Sequence, residues 1–425
     1  MESTEHIFEK AVLVGLNLPD MADGECERSL DELESLLDTA GGEVFGRLTQ
    51  SKNNPDPATC LGSGKLEELA EICRANDIGL VIFDNELSPM QIRNIEKVLD
   101  GARVIDRSML ILDIFALHAV TSEGKLQVEL AQLKYSAPRL AGHGSEMSKL
   151  GGGIGTRGPG ESKLESDRRH LKRKILQLES ELRELDKIRL TQRKSRERSE
   201  IKKIAVVGYT NAGKSTLMNR LTDAGILAED KLFATLDPTT RKFTLPCGED
   251  VLITDTVGFI RRLPHHLIKA FKSTLDEAAF SDIILIVIDA SDGELAEKTE
   301  VTEKLLGELG AGGKPTIYVY NKCDLATAPP IMSGDLESVM ISAKKGIGLD
   351  ELVEKIEKLV LDGKTHVVFR VPNSDAGVIS RMYACMTVED VTYENDAAVI
   401  NAIADKKARG LFAKYLEKQD KQEDE

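Results

Sequence analysis

The sequence predicts an α/β protein in four consecutive parts: an N-terminal parallel α/β domain over residues 1–140, a glycine-rich loop and long helical linker over 141–200, a larger α/β domain over 201–362, and a small α+β C-terminal module with an acidic tail over 363–425. Three observations lead there. Apolar runs alternate with amphipathic stretches in two separate blocks, the βαβ rhythm of parallel sheets. A highly charged segment with apolar residues near heptad spacing separates the blocks. Beyond the second block the pattern shifts to short strands around a helix.

In the first block, AVLVGLNL (11–18) reads as a strand, and CERSLDELESLLDTA (26–40) places Leu30, Leu33, Leu36 and Leu37 on one helical face. GGEVFGRLTQ (41–50) continues as a strand and GKLEELAEICRAND (64–77) as a helix. IGLVIFDN (78–85) has the near-continuous apolar run of a strand buried on both faces. A helix over 88–101 and a strand over 102–106 complete the rhythm, and 109–140 is a helical stretch. A glycine-rich loop, GGGIGTRGPGESK (151–163), follows. Leucine or isoleucine then recurs at 164, 171, 175, 178, 182 and 185, predicting a long helix or helical hairpin to about residue 199. The second block offers strands KKIAVVG, VLITDT, DIILIVIDA, TIYVYNK and VMISA. The last part offers strand HVVFRV, helix DAGVISRMYA and strand MTVEDVTYE.

With 425 residues, 41% hydrophobic and 30% charged, the chain is long enough for several cores. It has no Trp and only 4% aromatics, which argues against extensive stacking platforms for single-stranded nucleic acid. None of its six cysteines forms a C-x-x-C pair or stands at zinc-ligand spacing with His, so thiols in a reducing compartment are expected. His265 and His266 read as a turn rather than a metal pair. MESTEHIFEK has no basic n-region and no stretch is long and apolar enough to span a bilayer; a cytoplasmic protein without membrane insertion is expected. The net charge is −15, yet residues 163–200 carry 13 Lys or Arg against 8 Asp or Glu, an excess of 5, leaving −20 for the rest. One basic element can therefore still meet a polyanion.

The chemistry concentrates in the second block. Gly208-Tyr209-Thr210-Asn211-Ala212-Gly213-Lys214-Ser215 matches G-x-x-x-x-G-K-[ST], preceded by strand IAVVG and continued by a helix in which Thr216 follows. Glycines let successive backbone N–H groups point at phosphates, and the helix N-terminus adds its positive dipole end. Lys214 is expected to reach the β- and γ-phosphates and Ser215 to ligate Mg²⁺. Asp255-Thr-Val-Gly258 ends a strand; Asp255 can hold Mg²⁺, and Gly258 can offer its N–H to a γ-phosphate. Asn321-Lys322-Cys-Asp324 follows another strand, and a carboxylate there can accept from N1–H and the 2-amino group of guanine, donors that adenine lacks. Ser342-Ala343-Lys344 is the expected second guanine contact.

Four motifs in this order resemble the GTPase G-motifs, so the second domain is expected to be a P-loop G domain with GTP as substrate. Among such domains it is most similar to the TrmE–Era–Obg group. Leu232-Phe-Ala-Thr235-Leu-Asp-Pro-Thr-Thr-Arg241 looks like switch I of that group, which makes Thr235 the threonine that senses Mg²⁺ and γ-phosphate; Thr239 and Thr240 are alternative choices on sequence. Lys214, Thr235 and Gly258 are then the catalytic candidates. Phe259 stands where Ras-like enzymes carry a water-orienting Gln, which implies slow intrinsic turnover. Asn211 stands where potassium-activated relatives hold a K⁺ ion beside the phosphates.

Outside the G domain the resemblance narrows. Asn54-Pro-Asp-Pro-Ala-Thr-Cys-Leu-Gly62-Ser-Gly64-Lys65, Lys125-Leu-Gln127-Val-Glu129-Leu-Ala-Gln132-Leu, the run Gly151–Glu161 and Leu164-Glu165-Ser-Asp167-Arg168-Arg169 resemble HflX-family GTPases over nearly the whole chain. That resemblance implies GTP-dependent binding to the large ribosomal subunit and its rRNA, and a role in splitting or rescuing stalled ribosomes. Basic residues at both ends of the 164–199 helix, including Arg168, Arg169, Lys172, Arg173 and Lys174, suit a phosphate backbone. For this helix the contrasting reading is a solvated, salt-bridge-laced surface, since Glu179, Glu181, Glu184 and Asp186 lie between; for the whole chain it is an rRNA-binding module whose GTP site is regulatory or structural, with little turnover. A monomer is expected. Residues 1–120 gather no set of His, Cys or paired carboxylates that would make a second enzyme.

Overall fold

The computed structural model describes residues 10–140, 159–196, 201–222, 232–233, 238–262, 277–326, 337–362, 364–394 and 396–417. In the N-terminal part, β1 (Lys10–Asn17), β2 (Glu43–Ser51), β3 (Leu80–Phe83) and β4 (Arg103–Asp106) form a sheet in the order β2-β1-β3-β4. Every pairing in it is parallel, as the apolar runs predict. Helix α1 (Glu25–Thr39) buries Leu30, Leu33, Leu36 and Leu37. α2 (Ser63–Asn76) and α3 (Pro89–Leu99) pack against each other. α3 begins sharply because Ser88 and Gln91 form a reciprocal capping box with Pro89 in the first turn. α4 (Arg107–His118) and α5 (Ser122–Leu140) follow.

α6 (Pro159–Arg196) is one continuous helix, so helix replaces the last residues of the expected glycine loop. It lies on α5, tied by Lys134–Glu179 at 2.8 Å and Lys174–Glu129 at 3.1 Å. Of the six apolar positions predicted as a seam, Leu178 is buried, and Leu171, Ile175, Leu182 and Leu185 are half-buried.

The G domain is a six-stranded sheet in the order β10-β9-β8-β5-β7-β6. Its strands are β5 (Lys202–Gly208), β6 (Thr239–Thr244), β7 (Asp250–Asp255), β8 (Ile283–Asp289), β9 (Thr316–Asn321) and β10 (Ser338–Met340). All pairings are parallel except β6 with β7. β6 is absent from the sequence reading: TTRKFT is an edge strand with no buried residue, so it carries no apolar alternation. Helices α7 (Lys214–Thr222), α8 (Leu295–Glu308) and α9 (Leu349–Val360) flank the sheet. In the C-terminal module, β11 (Lys364–Pro372), β12 (Thr387–Tyr393) and β13 (Ala397–Asp405) pair antiparallel in the order β11-β13-β12, with α10 (Gly377–Cys385) and α11 (Lys406–Leu411). Among the described residues, no helix is long and apolar enough to cross a membrane.

One apolar cluster runs from the N-terminal sheet into the G domain, from Leu33, Ile111 and Phe115 to Phe233, Val257 and Phe259. It sets α1 against the C-terminal ends of β5 and β8, where ligands bind in open parallel sheets.

Candidate nucleotide site

The loop Gly208–Ser215 leaves β5 and enters α7, as its composition predicts. Gly213 has φ +91°, and a Cβ there would overlap the Asn321 amide nitrogen, so only glycine fits. The following segment is stitched back to it: Thr210 N–H donates to Phe259 O at 2.8 Å, and Phe259 N–H to Gly208 O at 3.0 Å. Gly258 lies so close to the loop that a Cβ would fall 2.8 Å from Thr210 Cγ2 and 2.9 Å from Lys214 Nζ. Gly258, Lys214 and Thr210 therefore meet at one point.

Lys214 is buried, and its ammonium donates to Tyr209 O at 2.8 Å and Gly208 O at 3.2 Å. Burial pulls its pKa down to about 8, with the nearby Asp255 charge working in the opposite direction. Ser215 Oγ donates to the fully buried Asp255 carboxylate at 2.7 Å. A hydroxyl and a carboxylate side by side form the all-oxygen set that Mg²⁺ prefers, so the residues present fit the ion. Thr235 lies outside the described residues, as do His265 and His266. The alternatives Thr239 and Thr240 lie in β6, and the Thr240 hydroxyl is hydrogen-bonded to Thr254 Oγ1 at 2.9 Å. Phe259 is 1% exposed and belongs to the apolar cluster, so its ring is core rather than site.

The other two motifs sit at neighbouring strand ends. Asn321 Nδ2 donates to Ala212 O at 2.9 Å, and its Oδ1 accepts from Ala343 N–H at 3.0 Å. It thus clips the phosphate loop to the 342–344 loop. Lys322 pairs with Asp289 at 2.8 Å. Asp324 pairs with Lys345 at 3.2 Å; a hydrogen bond from Ser342 and then Lys345 hold its carboxyl below the usual range, against the effect of desolvation. It is ionised and able to accept two donors at neutral pH. Ala343 is buried and Lys344 exposed. Asn211 is exposed with φ +60°, a conformation Asn tolerates.

Several residues of this region carry no motif. Arg220 donates from α7 to the carbonyls of Ala343 and Lys344. The N-terminal domain also reaches the loop. Tyr209 Oη donates to Glu32 and accepts from Arg261 N–H at 2.7 Å. Burial, then the Glu32 charge, push its phenol far above the usual range, so it stays a donor. Glu32 and Asp84 share the fully buried Arg107 guanidinium, with Arg107–Asp84 at 2.6 Å. Arg262 adds bonds to Asp84 at 3.1 Å and Glu25 at 2.7 Å. Between α1, the phosphate loop and α8 lies a cavity of about 350 Å³, bordered by Glu32, Tyr209, Thr210, Asn211 and Lys298. Hydrogen-bonding partners 177 or 178 positions apart leave no local signal in a sequence.

Three strand-end segments converging on a phosphate loop, one of them carrying an ionised Asp324, define a P-loop guanine-nucleotide-binding protein. Residues 27–116 match the family described as GTP-binding GTPase N-terminal, 118–196 the GTP-binding GTPase middle region, and 203–322 the 50S ribosome-binding GTPase. The chain belongs to the HflX family of GTPases and is a GTP-hydrolysing enzyme. It is 51% identical to GTPase HflX of Caldanaerobacter subterraneus over 372 residues, covering 88% of this chain and 85% of that one. It is 42% identical to GTPase HflX of Escherichia coli over 396 residues, 92% of each. A GTP-binding protein of Sulfolobus solfataricus, solved in complex with GDP, is 27% identical, with a TM-score of 0.45 over 84% of this chain and 99% of that one.

Proposed function

We propose that this GTPase is a cytoplasmic, monomeric switch that binds the large ribosomal subunit through its rRNA when loaded with GTP, and that it splits or rescues stalled ribosomes. The observation that carries the reading is the match of residues 203–322 to a family described as 50S ribosome-binding GTPase. α6 supplies a surface for a polyanion: Arg168, Arg169, Lys172 and Arg173 are all exposed on it.

Within the site, the phosphate-loop amides of Asn211 and of Gly213 to Thr216 cradle the β-phosphate. Lys214 leaves its two loop carbonyls to meet the β- and γ-phosphates, and Gly258 offers its N–H to the γ-phosphate. Asp324 reads N1–H and the 2-amino group of guanine, backed by Asn321, Lys322 and the 342–344 loop. Ser215, Asp255 and Thr235 would hold Mg²⁺, which neutralises phosphate charge when bound. A K⁺ ion beside Asn211 belongs to the same reading. The buried Phe259 orients no water, so turnover of the free protein is slow and the ribosome accelerates it by ordering the switch segments.

Co-sedimentation with large subunits in GTP, GDP and a non-hydrolysable GTP analogue tests the switch. Binding should be tightest with GTP or the analogue and should weaken steeply with salt; equal binding in all three states would refute it.

A further inference from the structure

Among the described residues, Thr210 Oγ1 is the only buried hydroxyl without a hydrogen-bond partner. The residue is 6% exposed and its backbone is pinned, since its N–H donates to Phe259 O at 2.8 Å. The other hydroxyls nearby are engaged: Ser215 with Asp255, Thr256 with Val206 O, Tyr209 with Glu32. An orphaned buried hydroxyl is costly, and its presence wants an explanation. Its position supplies one. Thr210 borders the 350 Å³ cavity beside the phosphate loop, and its Cα and Cγ2 abut Gly258 where the Lys214 ammonium also arrives. Gly258 and Lys214 are the two groups placed against a γ-phosphate above. The side chain at position 259, next after Gly258, is a buried ring.

We propose that the Thr210 hydroxyl is a catalytic group of GTP hydrolysis, orienting the attacking water against the γ-phosphorus in place of a side chain from position 259. A hydroxyl offers one donor and two acceptor sites. It donates to a γ-phosphoryl oxygen and accepts a hydrogen bond from the water. The water oxygen bonds to the γ-phosphorus as the bond to the β–γ bridging oxygen breaks. The proton of the water leaves with the inorganic phosphate, and Thr210 neither gains nor loses one. A preorganised polar group of this kind acts where charge develops and spends nothing on reorientation.

The proposal rests on the GTPase activity and not on ribosome binding, so it is tested on the full chain without ribosomes. Thr210→Val keeps the β-branched shape and deletes the hydroxyl; Thr210→Ser keeps the hydroxyl. Single-turnover GTP hydrolysis should fall about 10²-fold in T210V, and stay within about threefold of wild type in T210S, while GDP affinity is unchanged in both. T210V should also lose binding of the GDP–aluminium fluoride complex, which mimics the transition state. Wild-type hydrolysis by T210V, or a loss as deep in T210S as in T210V, would overturn the assignment and leave Thr210 a packing residue. If T210V loses GDP affinity, T210S decides: hydrolysis per bound GTP at the wild-type rate supports the hydroxyl, and a depressed rate overturns it.

Discussion

Arg220, six residues beyond Lys214 on the same helix, donates through Nη2 to the Lys344 carbonyl at 2.7 Å, and through Nε to the Ala343 carbonyl at 3.0 Å. The helix that begins at the phosphate loop thereby braces the loop that the proposed function sets against the base. Charge-assisted bonds of this kind are about twice as strong as neutral ones. Arg220→Met should weaken GDP binding about tenfold, mainly by faster release, with Lys in its place recovering part of the loss. Dissociation of a fluorescent GDP analogue measures it; unchanged release would make the brace dispensable.

Asp324 should decide which purine is accepted. Asn in its place exchanges a double acceptor for one donor and one acceptor, and xanthine carries a carbonyl where guanine has its amino group. Asp324→Asn should weaken GTP by about 10²-fold or more and favour xanthosine triphosphate. Competition between the two nucleotides reads the preference directly. A variant that still prefers GTP would show that Asp324 does not touch the base.

Lys214 should take up a proton when nucleotide binds. Burial disfavours its ammonium and lowers its pKa to about 8. Phosphates stabilise the ammonium and raise that value. The sign follows from linkage: below pH 7 the lysine is charged in both states and no proton moves. At pH 8 about half a proton is taken up per GDP bound, and affinity declines as pH climbs further. Calorimetry in buffers of different ionisation enthalpy counts the proton; none taken up at pH 8 would contradict the depressed value.

Arg107 is 2% exposed and serves both Glu32 and Asp84. Removing it leaves Asp84, itself buried, without its main counter-charge. Arg107→Met should cost about 3–5 kcal/mol of stability, the range for breaking one side of a buried pair. Urea unfolding measures it; a loss below about 1 kcal/mol would mean that water solvates the site.

Reversing Arg168, Arg169, Lys172 and Arg173 to Glu should abolish binding to large ribosomal subunits and leave GDP affinity intact. In wild type, the slope of log affinity against log salt should be steeper by roughly 3–4 than any residual binding of the variant. Sedimentation at graded salt reports both. Full binding by the reversed protein would make this face of α6 a solvated surface.

The parallel strands of both sheets were legible because buried strands write themselves as apolar runs; β3 is buried at all four of its residues. The phosphate loop was legible because close approach of backbone to phosphate demands glycine at fixed spacing. β6 escaped because an edge strand facing solvent needs no apolar pattern. β13 escaped although it is the central strand of its sheet, since AAVINAIAD is rich in Ala, which has weak strand propensity. Thr210 reads as one more variable position of the loop; only its burial and missing partner set it apart. Arg220 and Glu32 had no signal at all, because what makes them relevant lies 124 and 177 residues away.

Phe115 of the N-terminal domain and Phe233 of the G domain meet edge to face, with ring centroids 4.8 Å apart, inside an apolar cluster that both domains build. Neither domain can melt without opening the other's core to water, so heating should unfold the two in a single transition. Ligand linkage then extends across the seam: GDP, held by one domain, should slow amide exchange in the strands of the other, which it never touches.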